Sequence, residues 1–133
     1  VSVHEHKNPT ANGFQSMVSI TLHTDSEPIC IEGTIFSEND PRIVSIDGFR
    51  IDAIPSGHML ISRNLDRPGV IGLIGTILGN HGINIGAMFN SRETIGGSAL
   101  TVYEIDDPIS TVVRDQLILD DRITDIYCTS LDS

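Results

Sequence analysis

The run Asn64-Leu65-Asp66-Arg67-Pro68-Gly69-Val70-Ile71-Gly72 joins a strand-like segment to a helix-like one. Such a junction offers unpaired backbone N–H groups and the positive end of a helix dipole, and both favour an anion such as a carboxylate. Gly69 removes a side chain there, so a ligand can approach the backbone. Asp66 has the opposite preference: its carboxylate could hold an ammonium group. Asn84 begins the neighbouring strand-like segment, and its amide both donates and accepts hydrogen bonds. Carboxylate-binding N–H groups, an ammonium-binding Asp and a two-way amide together suit a zwitterionic amino acid. A plainer reading has Asp66 capping the helix and Asn84 sitting in a turn. Residue types alone leave both open.

Other chemistry-bearing residues lead less far. Gly69, Gly72 and Gly75 form G-x-x-G-x-x-G, which differs from the dinucleotide fingerprint G-x-G-x-x-G. Each interior helical glycine costs on the order of 1 kcal/mol against alanine. Close backbone packing, on a sheet or on a partner subunit, is the expected reason for them. His4 and His6 form an H-x-H pair with His23 further on, but no Cys/His/Asp set has metal-ligand spacing, and no metal is expected. Cys30 and Cys128 lie far apart without a CxxC, which fits two reduced, partly buried thiols in a cytoplasmic protein. No Ser/His/Asp or Cys/His arrangement follows from spacing.

Composition narrows the classes. A hydrophobic fraction of 39% and a charged fraction of 20% over 133 residues describe a soluble globular chain of one ordinary domain or two small ones. No apolar run approaches the ~20 residues of a membrane helix, so no membrane is expected as a partner. The formal net charge of −10 repels phosphate backbones and argues against nucleic acid. An RNA-binding module is further excluded by the lack of aromatic stacking positions. The chain begins at Val1, not at a methionine, and is expected to be a piece of a longer protein.

Two regions must position these residues. Residues 1–13 lack apolar periodicity and are read as an extended or frayed lead-in. From Met17 to His23, Val18, Ile20 and Leu22 alternate with Ser19, Thr21 and His23, the period of a half-buried strand. A second strand spans Ile29 to Phe36, with Ile29, Ile31 and Ile35 on one face and Gly33 as a bulge position. Asp47-Gly48 between two alternating arms, 41–54, signals a hairpin with a type I′ turn. Pro55-Ser56-Gly57 marks a boundary, and residues 1–56 and 57–133 are read as separate domains.

The second region opens with a strand from His58 to Asn64. Pro68 suits a helix's first turn, and Val70, Ile71, Ile74, Ile77 and Leu78 recur at helical spacing until Gly82 stops the helix. Ile83 to Ser91 alternates again, with Ile83, Ile85, Ala87 and Phe89 on one face. A turn at Glu93-Thr94-Ile95-Gly96-Gly97 leads to a strand from Ser98 to Ile105, a helix over Ile109–Leu119 and a closing strand from Ile123 to Leu131. The fold class is therefore α+β: a ferredoxin-like βαββαβ module after a small antiparallel β segment.

With these residues in view, the chain resembles the C-terminal regulatory region of the long-form D-3-phosphoglycerate dehydrogenases. Gly33-Thr34-Ile35-Phe36, Asp40-Pro41-Arg42-Ile43-Val44 and Ile46-Asp47-Gly48-Phe49 resemble part of their intervening, allosteric substrate-binding domain. His58-Met59-Leu60, Asp66-Arg67-Pro68-Gly69-Val70-Ile71-Gly72, Gly75-Thr76, Leu78-Gly79 and Gly82-Ile83-Asn84-Ile85 resemble their ACT domain. The resemblance implies L-serine as effector, bound where two ACT domains pair side by side in a homo-oligomer. It implies Asn64, Asp66, Gly69, Val70, Ile71, Asn84 and Ile85 as the binding positions, although some relatives carry His or Tyr at Asn64 and Asn at Asp66. It places NAD and the catalytic residues in upstream domains, so this chain alone is expected to hold no cofactor and to have no dehydrogenase activity. Two alternatives are the β portion of an iron–sulfur L-serine dehydratase and a dimerisation module that binds no ligand.

Overall fold

Alternation at period two and at period 3.6 dictates two different halves, and the chain folds as two units, Val1–Pro55 and Ser56–Ser133. The structure is a computed structural model and describes residues 2–6, 17–22, 29–35 and 41–131.

Among its described residues the first unit has one antiparallel sheet of five strands in chain order: β1 (Ser2–His6), β2 (Met17–Leu22), β3 (Ile29–Ile35), β4 (Pro41–Ile46) and β5 (Phe49–Ala53). Within the stretch read as an extended or frayed lead-in, residues 2–6 form strand β1, and residues 7–13 lie outside the described residues. Strand β1 pairs with β2 from Ser2 opposite Thr21 to His6 opposite Met17. An edge strand is held by backbone hydrogen bonds on one side and needs no apolar alternation, so a run with Val3 as its one apolar residue escapes a pattern search. His23 lies outside the described residues.

The two glycine signals in this unit have clear physical causes. The β3–β4 register shifts between Glu32 and Gly33, and a Cβ on Gly33 would come within 3.1 Å of the Arg42 carbonyl oxygen. Asp47 and Gly48 both take positive φ, 50° and 83°, as a type I′ turn demands. The Asp47 carboxylate also accepts the Cys30 N–H at 2.7 Å, tying the turn to β3. Along β5, buried Phe49, Ile51 and Ala53 alternate with exposed Arg50 and Asp52.

The second unit runs β6 (Gly57–Leu65), α1 (Val70–Asn80), β7 (Ile85–Arg92), β8 (Ser98–Ile105), α2 (Thr111–Ile118) and β9 (Ile123–Leu131). Its sheet has the order β7-β8-β6-β9 and is antiparallel throughout, the ferredoxin-like arrangement. Leu60, Tyr103, Ile105 and Ile126 of the sheet pack against Val70, Ile74, Ile77 and Leu78 of α1 and Val113 and Leu117 of α2. Ile71 departs from the predicted apolar face and is 38% exposed. The helix starts at Val70, so Pro68 precedes it in the turn.

Helix ends follow local chemistry. Gly82, at φ 72°, closes α1 in a Schellman motif: its N–H reaches the Gly79 carbonyl, and the Ile83 N–H reaches the Leu78 carbonyl at 2.9 Å. Ser110 caps α2 by accepting the Val113 N–H. In β7 the register shifts between Ile85 and Ala87, so Gly86 is an extra residue. Beyond it Met88 and Asn90, opposite Tyr103 and Thr101, take the side that continuous alternation assigned to Ala87 and Phe89. Among the described residues no helix is long and apolar enough to cross a membrane.

Candidate functional site

The loop from Asp66 to Gly69 leaves the end of the central strand β6 and is gripped from both neighbouring turns. On the β7–β8 side, the Asp66 N–H donates to the Gly97 carbonyl at 2.8 Å. The Asp66 carboxylate Oδ2 accepts Arg92 Nη1 at 3.0 Å and the Gly96 N–H at 3.2 Å. On the α2–β9 side, the Leu65 N–H donates to the Arg122 carbonyl at 2.8 Å, and Arg122 Nη1 reaches the Pro68 carbonyl at 3.4 Å. Asp120 holds that guanidinium by Nε and Nη2, each at 2.9 Å. Hydrogen bonds from Arg122 keep the Asp120 carboxyl at about 2.

These bonds correct the plainer reading of Asp66. It does not cap α1, whose N-cap is Gly69 at φ 90° with no side-chain cap. The helix start is therefore without a resident carboxylate, and its first-turn N–H groups keep their preference for an anion. The Gly96 N–H, then Arg92, hold the Asp66 carboxyl below its ordinary value. Its folded-state pKa is depressed, so these bonds stabilise the fold above the ordinary carboxylate range, and that contribution is lost as pH falls through the folded value. Arg92→Gln is expected to raise the Asp66 pKa towards the ordinary carboxylate value, read by the carboxyl carbon shift in an NMR pH titration. An unchanged midpoint would contradict the bonding described.

Asn64 sits one step earlier and is buried, at 4% exposure. Its Nδ2 donates to the Leu65 carbonyl at 2.8 Å, and its Oδ1 accepts the Ser62 hydroxyl at 3.4 Å. Ser62 and Thr101 lie opposite each other in the sheet, both fully buried, and the Thr101 hydroxyl donates to Asn90 Oδ1 at 2.7 Å. Burial pushes the neighbouring Tyr103 phenol up to about 12, against the pull of the Ser62 and Thr101 hydroxyls. A polar layer thus lies beneath the loop. Val70 is fully buried, while Ile71 is on the helix surface.

Asn84 is elsewhere. Its Nδ2 donates to Asp106 Oδ2 at 3.2 Å, and its carbonyl accepts the Asp106 N–H at 3.1 Å. Ile85 follows, half-buried opposite Ile105, whereas Arg92 at the other end of β7 stands opposite Ala99 beside the Asp66 loop. The two ends of this eight-residue strand are roughly 23 Å apart at about 3.3 Å per residue step. One chain therefore does not bring Asn84 to Asp66. Helix α1 runs back along the sheet between them, so β7 starts at the end opposite the β6–α1 loop.

Arg92, Gly96, Asp120 and Arg122 are the site residues that pattern reading missed. Only strand register places them at the loop, and the sole signal available was a Gly-Gly turn. Elsewhere, His58 Nδ1 lies 2.8 Å from the Ser130 hydroxyl across β6 and β9. Cys30 is half-buried on β3, and Cys128 is exposed on β9. Among the described residues no three His, Cys, Asp or Glu side chains gather as metal ligands. The described sheets are antiparallel, and the α1 glycines lack the G-x-G-x-x-G spacing of a dinucleotide fingerprint.

Residues 1–47 match the family model described as the D-3-phosphoglycerate dehydrogenase intervening domain. Over 94% of its length the chain is 32% identical to a D-3-phosphoglycerate dehydrogenase of Archaeoglobus fulgidus, of which it spans 24%. It is 30% identical over 89% of its length to one of Methanocaldococcus jannaschii, spanning 22% of it, and 33% identical over 80% to one of Bacillus subtilis, spanning 20%. The chain thus spans a quarter or less of the length of these curated relatives. It is, over nearly all its length, a relative of one segment of the D-3-phosphoglycerate dehydrogenases.

Proposed function

We propose that this chain is the regulatory, amino-acid-sensing part of a D-3-phosphoglycerate dehydrogenase, and that its βαββαβ unit is an ACT domain binding L-serine between two copies. The NAD-dependent chemistry belongs to upstream domains, and the 133 residues alone carry out no dehydrogenation. The observation that supports this most is the separation of the two half-sites. Asp66, Gly69 and the first turn of α1 lie at one end of the sheet, and Asn84 and Ile85 lie at the other.

A two-fold axis reunites them. Strand β7 is an edge of its sheet, with one neighbour and a mostly exposed surface. Antiparallel pairing of β7 with the same strand of a second copy sets the Arg92 end of one against the Ile85 end of the other. Asp66 of one copy then approaches Asn84 of the second. The α1 glycines agree with this arrangement. Cβ atoms built on Gly72, Gly75 and Gly79 meet nothing within 4 Å, so packing inside the chain does not require them. A neighbouring copy gives their helical cost a purpose.

In that site, Asp66 accepts the ligand ammonium and the amide of Asn84 donates to or accepts from the ligand's polar groups. Asn64, buried beneath the loop, fixes its exit from β6. Calorimetric titration of the chain with L-serine, glycine and bulkier amino acids tests the reading. Saturable binding of L-serine that Asp66→Ala weakens at least roughly tenfold is expected, the loss of a charge-assisted contact. Absence of heat with every amino acid would leave a dimerisation module without a ligand.

A further inference from the structure

We infer that Arg92 is the receptor for the ligand's carboxylate, so that the Asp66–Arg92 pair selects free α-amino acids from amines and amides. This rests on the amino-acid reading of the site above. The pair is an open one. Arg92 uses Nη1 on Asp66 Oδ2 at 3.0 Å, and its Nη2 and Nε have no partner among the described residues. Asp66 Oδ1 likewise has none. The Arg92 side chain is 50% exposed and that of Asp66 is 20% exposed, so a ligand can reach both.

An α-amino acid carries its ammonium and carboxylate on one carbon. Such a ligand can set the ammonium on Asp66 Oδ1 and the carboxylate on the free edge of the guanidinium without breaking the resident bond. The planar fork of arginine suits a carboxylate in two-pronged contact. A ligand with the ammonium alone satisfies Asp66 and leaves the guanidinium edge unused. The competing receptor for the carboxylate is the uncapped first turn of α1, which lacks a formal charge. Arg92 also sits on edge strand β7, where the second copy would close over it.

The test is an NMR-detected titration, which reads weak affinities, of the full chain with L-serine and with L-serinamide, whose carboxylate is a neutral amide. For Arg92→Gln, L-serine affinity is expected to fall roughly tenfold or more, while L-serinamide affinity stays within about twofold. Arg92→Lys should recover part of the L-serine affinity by keeping the charge. Equal losses for both ligands would mean that Arg92 only shapes Asp66, and unchanged L-serine binding would place the carboxylate elsewhere. Either result overturns the assignment while leaving amino-acid sensing intact. A wild-type chain that binds neither ligand would remove the sensing reading itself.

Discussion

Leu78→Ala is expected to destabilise the Ser56–Ser133 unit by about 3 kcal/mol, within the range for leucine truncation in a close-packed core. Leu78 is fully buried in the cluster that joins α1 to the sheet. It also occupies a second position of consequence, since its carbonyl accepts the Ile83 N–H that closes the helix. Packing of Leu78 and Ile83 in the same cluster is the hydrophobic contact that accompanies a Schellman ending. The cavity therefore loosens the C-terminal end of α1 as well as the core. Urea unfolding checks this: the midpoint should fall with little change in slope. Leu119→Ala, at a residue 81% exposed, is the control and should move the midpoint little. Similar midpoints for the two variants would contradict the described core.

Gly75→Leu is expected to abolish self-association while leaving each chain folded. The position lies in mid-helix, and a Cβ built on it meets nothing within 4 Å outside its own helix, so the first added carbon has room within the chain. Removing a helical glycine should even stabilise the monomer, by roughly 0.5–1 kcal/mol. Between two copies the same side chain would hold the helices apart. Sedimentation velocity over a concentration series reads association, and urea unfolding reads stability. A variant that associates as the wild type does would remove α1 from the interface and leave the glycines without explanation.

How much of this was legible beforehand depended on where the determining contact lies. The helix over 70–80 and the Asp47-Gly48 turn follow from local chemistry, and their residues announce them. The irregularity near Gly33 is signalled by that glycine, but its extra residue is Val44 on β4. Strand β1 has no such signature, because its neighbour β2 supplies the pairing that holds it. The bulge at Gly86 is likewise invisible to alternation, which assigned Ala87 and Phe89 to the face that Met88 and Asn90 occupy. Asp66 shows both outcomes. Its place at a strand-to-helix junction was readable from sequence, whereas its bonds to Arg92 and Gly96 span 26 and 30 residues and needed the register of three strands. The distance from Asp66 to Asn84 has another origin: α1 carries the chain back along the sheet before β7 begins.

That distance is the basis of the shared site, and complementation between two defective chains tests it most directly. Asp66→Ala and Asn84→Ala should each bind L-serine at least roughly tenfold more weakly than the wild type. Co-refolded in equal amounts, they form mixed pairs in which one site keeps both residues and the other keeps neither. With random pairing, about a quarter of all sites should return to wild-type affinity in a calorimetric titration. A mixture that binds no better than its two components would place Asp66 and Asn84 outside a common site and contradict sensing between two copies.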